Sequence, residues 1–563
     1  MISRRSIDGV LFLTLVTVIV TVTTMYVSQE NTFYWWDYAD YHNYAILVTD
    51  TFRSSVGEGW KFVRETLTQQ KNALHVVPLL PFLIIGGNSR LAYILGIALT
   101  YFLPFSLAMG AIASSIVPTS IDRCDKNVLQ PASQLSFWIA AFLTLLVPLS
   151  WVPLLRGYPD VGGVMLLGWA SWLYLRNPRL SKIWQIVAMG SLLGLSILFR
   201  RHFAYGAISI LVAAWLSQFS VKAWQQWLTL SLRLAAVALV SFVVLAGVAW
   251  EFTIRAMTTD YVSRYAVWSL PVSDIFWRIV SGYGWGFLIV ALAGWILQIW
   301  HLQNSENYRN WLFVAIAGTV AMAISILKLR YGNLHYTLHL TPWFVLGCIG
   351  WIGAMQRRRL VLSLTGLYLF VNCSLGLGDV PQRSIFFFAK SHPPIERHDT
   401  IDLRRSIDRL RELTTPEDSI FVIGASNEFN ALMLMDGELE MYGDDRRLNF
   451  LPVPILDGNI SPVDTLLLAD WVVLATPLQV IQPGDEQIVR SNSQNVVKVM
   501  FEAFSENWEI TRDFQKIPES FQLDNGVVLS LYQRIRETSE KVEEQTRSSV
   551  RATLDFLKSD DSP

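Results

Sequence analysis

Residues 76–85 read VVPLLPFLII, and the placement of this one stretch decides how the whole chain is threaded. Ten apolar residues broken by Pro78 and Pro81 are too few, because a helix needs about 20 to cross a bilayer. The stretch is therefore read as interfacial or re-entrant. If it crossed, every later loop would change sides, and the charges around it would no longer agree.

Upstream, residues 7–27 form an apolar run behind Arg4 and Arg5, which the positive-inside bias keeps in the cytoplasm. No small-residue cleavage site follows, so the run is read as a retained first helix. Residues 28–90 are then extracytoplasmic, with short surface helices expected at 45–52 and 62–67. Downstream, apolar runs occur at 91–117, 135–153, 161–175, 183–199, 203–219, 228–250, 281–300, 310–326, 337–355 and 359–376. With the first helix this makes about 11 transmembrane helices.

The loops that fall inside carry Arg123 and Lys126, then Arg176, Arg179 and Lys182, then Lys222, Arg309, and Arg357 to Arg359. That series obeys the positive-inside rule. An odd number of spans puts everything after about residue 377 on the side of residues 28–90.

Composition agrees with a polytopic membrane protein that also has some soluble mass. The chain has 563 residues, 52% of them hydrophobic and 16% charged, with a net charge of −1; mean hydropathy is +0.35. No basic face is available to collect phosphates, which argues against a nucleic-acid partner. Of the three cysteines, Cys124, Cys348 and Cys373, the last two lie in apolar runs, so neither a disulfide framework nor a metal-type spacing is expected.

Residues 33–53, FYWWDYADYHNYAILVTDTFR, set Asp37 and Asp40 among aromatic rings. Such rings settle at the membrane–water interface. A carboxylate at that low-dielectric rim can be tuned for proton transfer. An interfacial belt with two solvated acids explains the same spacing. A divalent cation is compatible with these acids and His42 but is not required.

Cations recur at the outer ends of the spans, where topology does not favour them: Arg90, Arg156, Arg200 and Arg201 with His202, then Lys328 and Arg330 with His335 and His339. Any one of them can be explained by snorkelling to headgroups. Together they would hold a phosphate or pyrophosphate, arginine offering bidentate forks to its oxygens. The outer turn RGYPD adds Tyr158 and Asp160 as candidates to line a sugar or acceptor pocket, although Gly157 and Pro159 make a good turn by themselves.

Beyond residue 380 the pattern becomes that of a small α/β domain, 381–536. Ile401, Leu403, Ile407, Leu410 and Leu413 fall at helical spacing, and 419–424, 469–476 and 526–532 read as strands. Another helix is expected at 496–504. GASNEFN after the first strand lacks the spacing of a phosphate-binding loop. The charged, Ser-rich tail 537–563 is expected to be disordered.

Residues 75–96, HVVPLLPFLIIGGNSRLAYILG, resemble the HPPLYxxLLxxxxxLFGxSxxxxR stretch of GT-C-fold, lipid-linked-sugar-dependent glycosyltransferases. It is similar to family 39 and the aminoarabinose-transferase-like group, which includes the protein O-mannosyltransferases. On that resemblance Arg90 falls on the family's Arg and His75 near its His. The first-loop Asp with Tyr four residues on is met twice, by Asp37 with Tyr41 and Asp40 with Tyr44. The family's usual Asp-Glu pair is absent. KLRYGNLHYTLHLTPW resembles the Lys/Arg–Tyr stretch before a late helix and contains Lys328, Arg330, Tyr331 and His335.

The resemblance covers most of residues 1–380, the catalytic transmembrane domain it implies. It implies a polyprenyl-phosphate sugar donor held among membrane lipids and a glycan, lipid or protein acceptor. The reaction would occur on the outer face of the cytoplasmic (inner) membrane, with the C-terminal domain on that side. A loop Asp would be the base and the outer cations the phosphate contacts. No cofactor is required. The competing classes are a secondary transporter, which usually places ionisable groups near the bilayer midplane, and a non-catalytic scaffold, which leaves acids and cations without a shared purpose.

Overall fold

The computed structural model describes residues 4–69, 71–117, 132–260, 269–303, 305, 307–380, 386–443, 445–451, 462–480 and 492–560. Arg123, Cys124 and Lys126 lie outside the described residues. Contacts divide the chain into two units, one made mainly of Met1–Gln29, Tyr41–Thr259 and Pro271–Pro394, the other of Glu30–Asp40 and Ile395–Pro563 with a short piece ending at Leu270.

The first unit is helical, and its helices are apolar on most faces because both lipid and neighbouring helices receive them. Among the described residues six helices are long and apolar enough to cross a membrane: Arg5–Gln29, Arg90–Ile116, Val221–Val248, Tyr308–Leu329, Leu334–Ala354 and Arg358–Leu377. Two bent pairs raise the number to eight. The chain is a multi-pass membrane protein.

The remaining apolar runs are helical but shorter. Val161–Arg176, Ile183–Phe199 and Phe203–Ser217 have 16, 17 and 15 residues. At 1.5 Å per residue each reaches about 24 Å, less than the roughly 30 Å hydrocarbon layer.

Two runs expected to be single spans are broken. Residues 135–153 become Gln134–Leu145 and Pro148–Leu155, bent by 52°, with Pro148 at the start of the second piece. Near residue 284, Val272–Tyr283 and Trp285–His301 meet at 93°. Gly284 has φ +81°, and a Cβ there would lie 2.9 Å from Phe387 O. Only glycine tolerates both the turn and that approach of backbone. The helices Trp285–His301 and Thr341–Ala354 then pack backbone to backbone, since a Cβ on Gly294 would sit 1.8 Å from Gly347 O. Small residues do this work between membrane helices, where hydrophobic drive is missing.

Residues 76–85 do not form a spanning helix. They follow a 3₁₀ turn, Ala73–His75, with another at Val77–Leu79 and a seven-residue helix, Leu80–Gly86. Before them come three helices. The first spans Arg4–Gln29 (α1). The second, Trp36–Ser54 (α2), begins well before the surface helix expected at 45–52. Its burial of Tyr41, Ala45, Val48 and Thr49 is one turn-spaced stripe that packs inward. The third, Val56–Thr66 (α3), starts at Ser55, whose hydroxyl accepts from Glu58 N. S-x-x-E is the sequence signature of such a cap.

The second unit carries a five-stranded sheet. Its strands are Ser419–Ile423 (β1), Asn449–Phe450 (β2), Trp471–Thr476 (β3), Phe514–Gln522 (β4) and Val528–Arg534 (β5). Their order is β2-β1-β3-β5-β4. β1 runs parallel to β2 and β3, while β5 is antiparallel to β3 and β4. The fully buried strand β1 reads SIFVI, as a strand covered on both faces should. Helices Thr400–Leu413 and Ala431–Tyr442 contribute to one core, and Pro462–Leu468 and Asn492–Ser505 to the other. β4 was not expected: it is an edge strand with Pro518 at an irregularity between Lys516 and Ser520.

Residues Glu540–Asp560 form a helix rather than a disordered end. Val550, 2% exposed, and Val542 seat it on the second core. Arg547 joins Glu543 one turn away and Asp464 of the helix Pro462–Leu468. Composition read as charge alone misses the apolar stripe that this packing uses.

Candidate functional site

The turn RGYPD lies at the centre of a cluster of polar side chains. Gly157 takes φ +91°, and Tyr158 N donates to Pro153 O at 2.8 Å. The chain then enters the helix Val161–Arg176 at Asp160, the position where an aspartate ordinarily caps the helix. Here the carboxylate makes no cap hydrogen bond. It is wholly buried and instead faces Arg200 Nη1 at 3.5 Å and His202 Nε2 at 3.4 Å.

Arg200 and His202 are delivered by another turn, between helices Ile183–Phe199 and Phe203–Ser217. The guanidinium of Arg200 also donates to Tyr41 Oη, and its Nη2 lies 3.4 Å from His335 Nε2. Its centre is 5.1 Å from the Tyr41 ring, within cation–π range. The Tyr158 ring stacks on His335 at 4.3 Å with planes 23° apart. Tyr336, which the sequence did not single out, lies 4.1 Å from His335 and 5.0 Å from His202. It sits beside His335 in the KLRYGNLHY stretch, the signal that marked that neighbour.

So Tyr41, Tyr158, Asp160, Arg200, His202 and His335 meet around one buried carboxylate. Four chain segments far apart in sequence supply them. His202 is held neutral, because burial first and then the charge of Arg200 drive its pKa well below the usual value. The cluster thus keeps a fixed cation with a mostly dry surrounding, which can stabilise negative charge with little reorganisation.

Arg90 approaches the same turn from the start of Arg90–Ile116. A Cβ on Gly157 would be 2.8 Å from its Nη1, and Tyr93 Oη donates to Gly157 O at 2.9 Å. Gly157→Ala is therefore expected to cost about 1–2 kcal/mol for the left-handed backbone and to displace Arg90. Thermal unfolding of the variant in detergent checks the first effect, and affinity for inorganic phosphate checks the second. Wild-type values for both would show that the turn tolerates a side chain.

The remaining candidates disperse. Arg156 is 5% exposed and donates from Nη2 to Pro393 O at 2.8 Å, above the Tyr26 ring, so it ties down the segment after the helix Arg358–Leu377. Tyr44 turns to Phe62 of α3, 5.9 Å away. Lys328 is exposed, Arg201 and Arg330 are half-buried, and Arg330 adopts φ +54° just after a π-helical turn. Tyr331 lies 5.2 Å from Tyr336 at the edge of the cluster. His339 bonds Ser325 Oγ through Nε2 at 3.1 Å. Lys71, another residue that sequence passed over, holds its ammonium 5.1 Å from the Tyr41 ring centre.

His42 faces Asn88 O through Nε2 at 3.1 Å and stacks on Tyr93. Burial, followed by Arg90, lowers its pKa to about 3. Among the described residues no three His, Cys, Asp or Glu side chains are grouped to hold a metal ion.

His75 directs Nδ1 to Asn72 O at 2.8 Å, while its buried Nε2 has no hydrogen-bond partner among the described residues. Its ring meets Tyr41 edge-on at 5.6 Å. Burial lowers its pKa to about 4. The unfolded chain then binds a proton that the folded one refuses, so this contribution is whole above about pH 6.5. Stability falls as pH drops from about 6.5 to 4, by roughly 1.4 kcal/mol per pH unit. His75→Gln is expected to flatten the pH dependence of thermal unfolding in that window relative to wild type. Unchanged slopes would show that the ring is solvated.

Asp37 and Asp40 occupy the first turns of α2 and belong by contact to the sheet unit. Asp37 is half-buried and Asp40 exposed.

No family model matches the chain, and no curated protein matches it either. Solved structures do. ArnT from Cupriavidus metallidurans matches in its apo crystal structure with a TM-score of 0.49 and 12% identity, over 94% of this chain and 98% of that one. Its crystal structure bound to undecaprenyl phosphate matches with a TM-score of 0.48 and 12% identity, over 93% and 97%. The cryo-EM structure of the arabinofuranosyltransferase AftD from Mycobacteria gives 0.48 and 13%, over 96% of this chain but only 40% of that one. Likenesses this weak carry no argument about chemistry. That must come from the residues.

Proposed function

We propose that this chain is a membrane glycosyltransferase that takes a sugar from a polyprenyl-phosphate donor and passes it to an extracytoplasmic lipid, glycan or protein acceptor. The observation that carries the reading is Arg200, a guanidinium set between the buried Asp160 carboxylate, Tyr41 Oη and His335 Nε2. Such a cation, fixed before substrate arrives, suits a phosphate whose charge grows as its bond to the sugar breaks. Arg90 beside the Gly157 turn supplies a second fork.

Asp37 or Asp40 takes the proton of the acceptor hydroxyl. The freed oxygen attacks the anomeric carbon, and the carbon–oxygen bond to phosphate breaks with its electron pair going to the phosphate, so transfer inverts configuration. Tyr158 and His335, stacked together, offer an aromatic wall for sugar or acceptor. The resemblance of residues 75–96 to the lipid-linked-sugar transferases points the same way. No step requires a metal.

The test is transfer from a panel of radiolabelled polyprenyl-phosphate sugars by the wild-type chain in liposomes. Transfer from one donor supports the reading and names the sugar. Absence of transfer from every donor, with uptake of a solute into the same liposomes, would replace it with the transporter.

A further inference from the structure

The segment that leads into Asp37 and Asp40 is built into the sheet unit by an isolated bridge to residues 395–397 and by a core side chain. Asn31 N donates to Ile395 O at 2.9 Å, and Arg397 N donates to Asn31 O at 3.0 Å. Phe33, 1% exposed, is a member of the core formed by Leu403, Ile407 and Leu434. Tyr34 N donates to Asp436 Oδ2 at 2.8 Å. Trp35 Nε1 donates to Asn427 Oδ1 at 3.3 Å, in the loop after β1. Four consecutive attachments bring the chain to Trp36, whose φ of +48° is one that a bulky side chain rarely adopts. Such a conformation persists when its surroundings over-determine it. Asp37 is the next residue.

We propose that the C-terminal α/β domain is a positioning device for the acid at the start of α2, with Asp436 and the Gly437 gap as its clamp. This rests on the reading of Asp37 or Asp40 as the base. The domain's sheet and helices hold Phe33 and Tyr34 on one side of the strained Trp36. The direction in which the start of α2 projects Asp37 and Asp40 is thereby fixed. A base must stand within hydrogen-bond reach of the proton it takes, and a displacement of about 1 Å can cost two orders of magnitude in rate. GASNEFN, which lacks the spacing of a phosphate loop, acquires a use here: its Asn427 receives Trp35, and Glu428 O accepts from Arg397 Nη1.

The experiment compares Asp436→Ala, Asp436→Asn and Gly437→Ala in the full chain in nanodiscs. Asparagine keeps an acceptor oxygen for Tyr34 N, whereas alanine does not. A Cβ on Gly437 would meet the Phe33 ring at 2.9 Å and Ile407 Cδ1 at 2.6 Å, so that variant pushes at the second attachment. The expected result for both alanine variants is at least a tenfold loss of hydrogen-exchange protection confined to residues 33–40. With it kcat should fall roughly tenfold to a hundredfold at unchanged donor KM, and Asp436→Asn should restore both.

Protection unchanged in both alanine variants overturns the proposal. So does lost protection with wild-type kcat while Asp37→Asn or Asp40→Asn is inactive. If instead both of those variants transfer at the wild-type rate, the base reading itself is wrong, and the positioning of a catalytic acid falls with it even where the exchange result shows the anchoring.

Discussion

One of Asp37→Asn and Asp40→Asn is expected to lower kcat for sugar transfer by about two to four orders of magnitude, the range that a positioned general base contributes. The other should act less. Asparagine keeps the shape of the side chain and removes only its capacity to take a proton, so a loss at this level reads basicity. Folding should be spared, because Asp40 is exposed and Asp37 only half-buried, and such substitutions ordinarily stay within about 0.5 kcal/mol. Asp37 lies in the first turn of α2, where the helix dipole favours the charged carboxylate. Single-turnover transfer by purified variants, with thermal unfolding alongside, makes the measurement. Wild-type turnover by both would remove the loop acids from the chemistry.

Asp160→Ala should show a different signature, a loss of stability together with a loss of transfer. The carboxylate is completely buried and the Arg200 side chain is only 12% exposed. Removing one partner of a buried pair leaves the other charge uncompensated, at about 3–5 kcal/mol. The unfolding midpoint of the chain in detergent is expected to drop accordingly, and Arg200 should lose its orientation toward Tyr41 and His335. Asp160→Asn retains volume but not charge, so it should recover part of the stability while transfer stays low. An Asp160→Ala chain that unfolds at the wild-type midpoint and transfers normally would show that Arg200 is held by its other partners alone.

The two substitutions also show how the site was legible. Asp160, Arg200, His202 and His335 stand out in the sequence, because an ionisable residue at the end of an apolar run needs a reason to be there; Tyr158 comes with the turn RGYPD and Tyr41 only with the resemblance of the first loop. Which of them converge does not stand out. Arg156 and Arg200 are the same residue type at similar helix ends, yet one braces Pro393 O and the other reaches Asp160. The bend at Gly284 escaped for a related reason, since its cause is the approach of residues 386–389 a hundred positions later.

The tail helix Glu540–Asp560 and the edge strand β4 were missed because charge and proline weigh heavily in local reading. Val550 and the pairing with β5 outweigh them in the folded domain.

What the sequence by itself determined is the membrane character of the chain, the position of its apolar helices and the shortness of residues 76–85. Transfer from water to lipid is decided over one helix length, so a local window contains all the information. What only the tertiary structure decided is which charges share a burial site, and that residues Glu30–Asp40 belong to the C-terminal unit. Those depend on contacts between residues separated by as many as 402 positions, Tyr34 to Asp436. No periodicity along the chain encodes such a contact, because it depends on a core whose other members lie some 370 to 500 positions from Phe33.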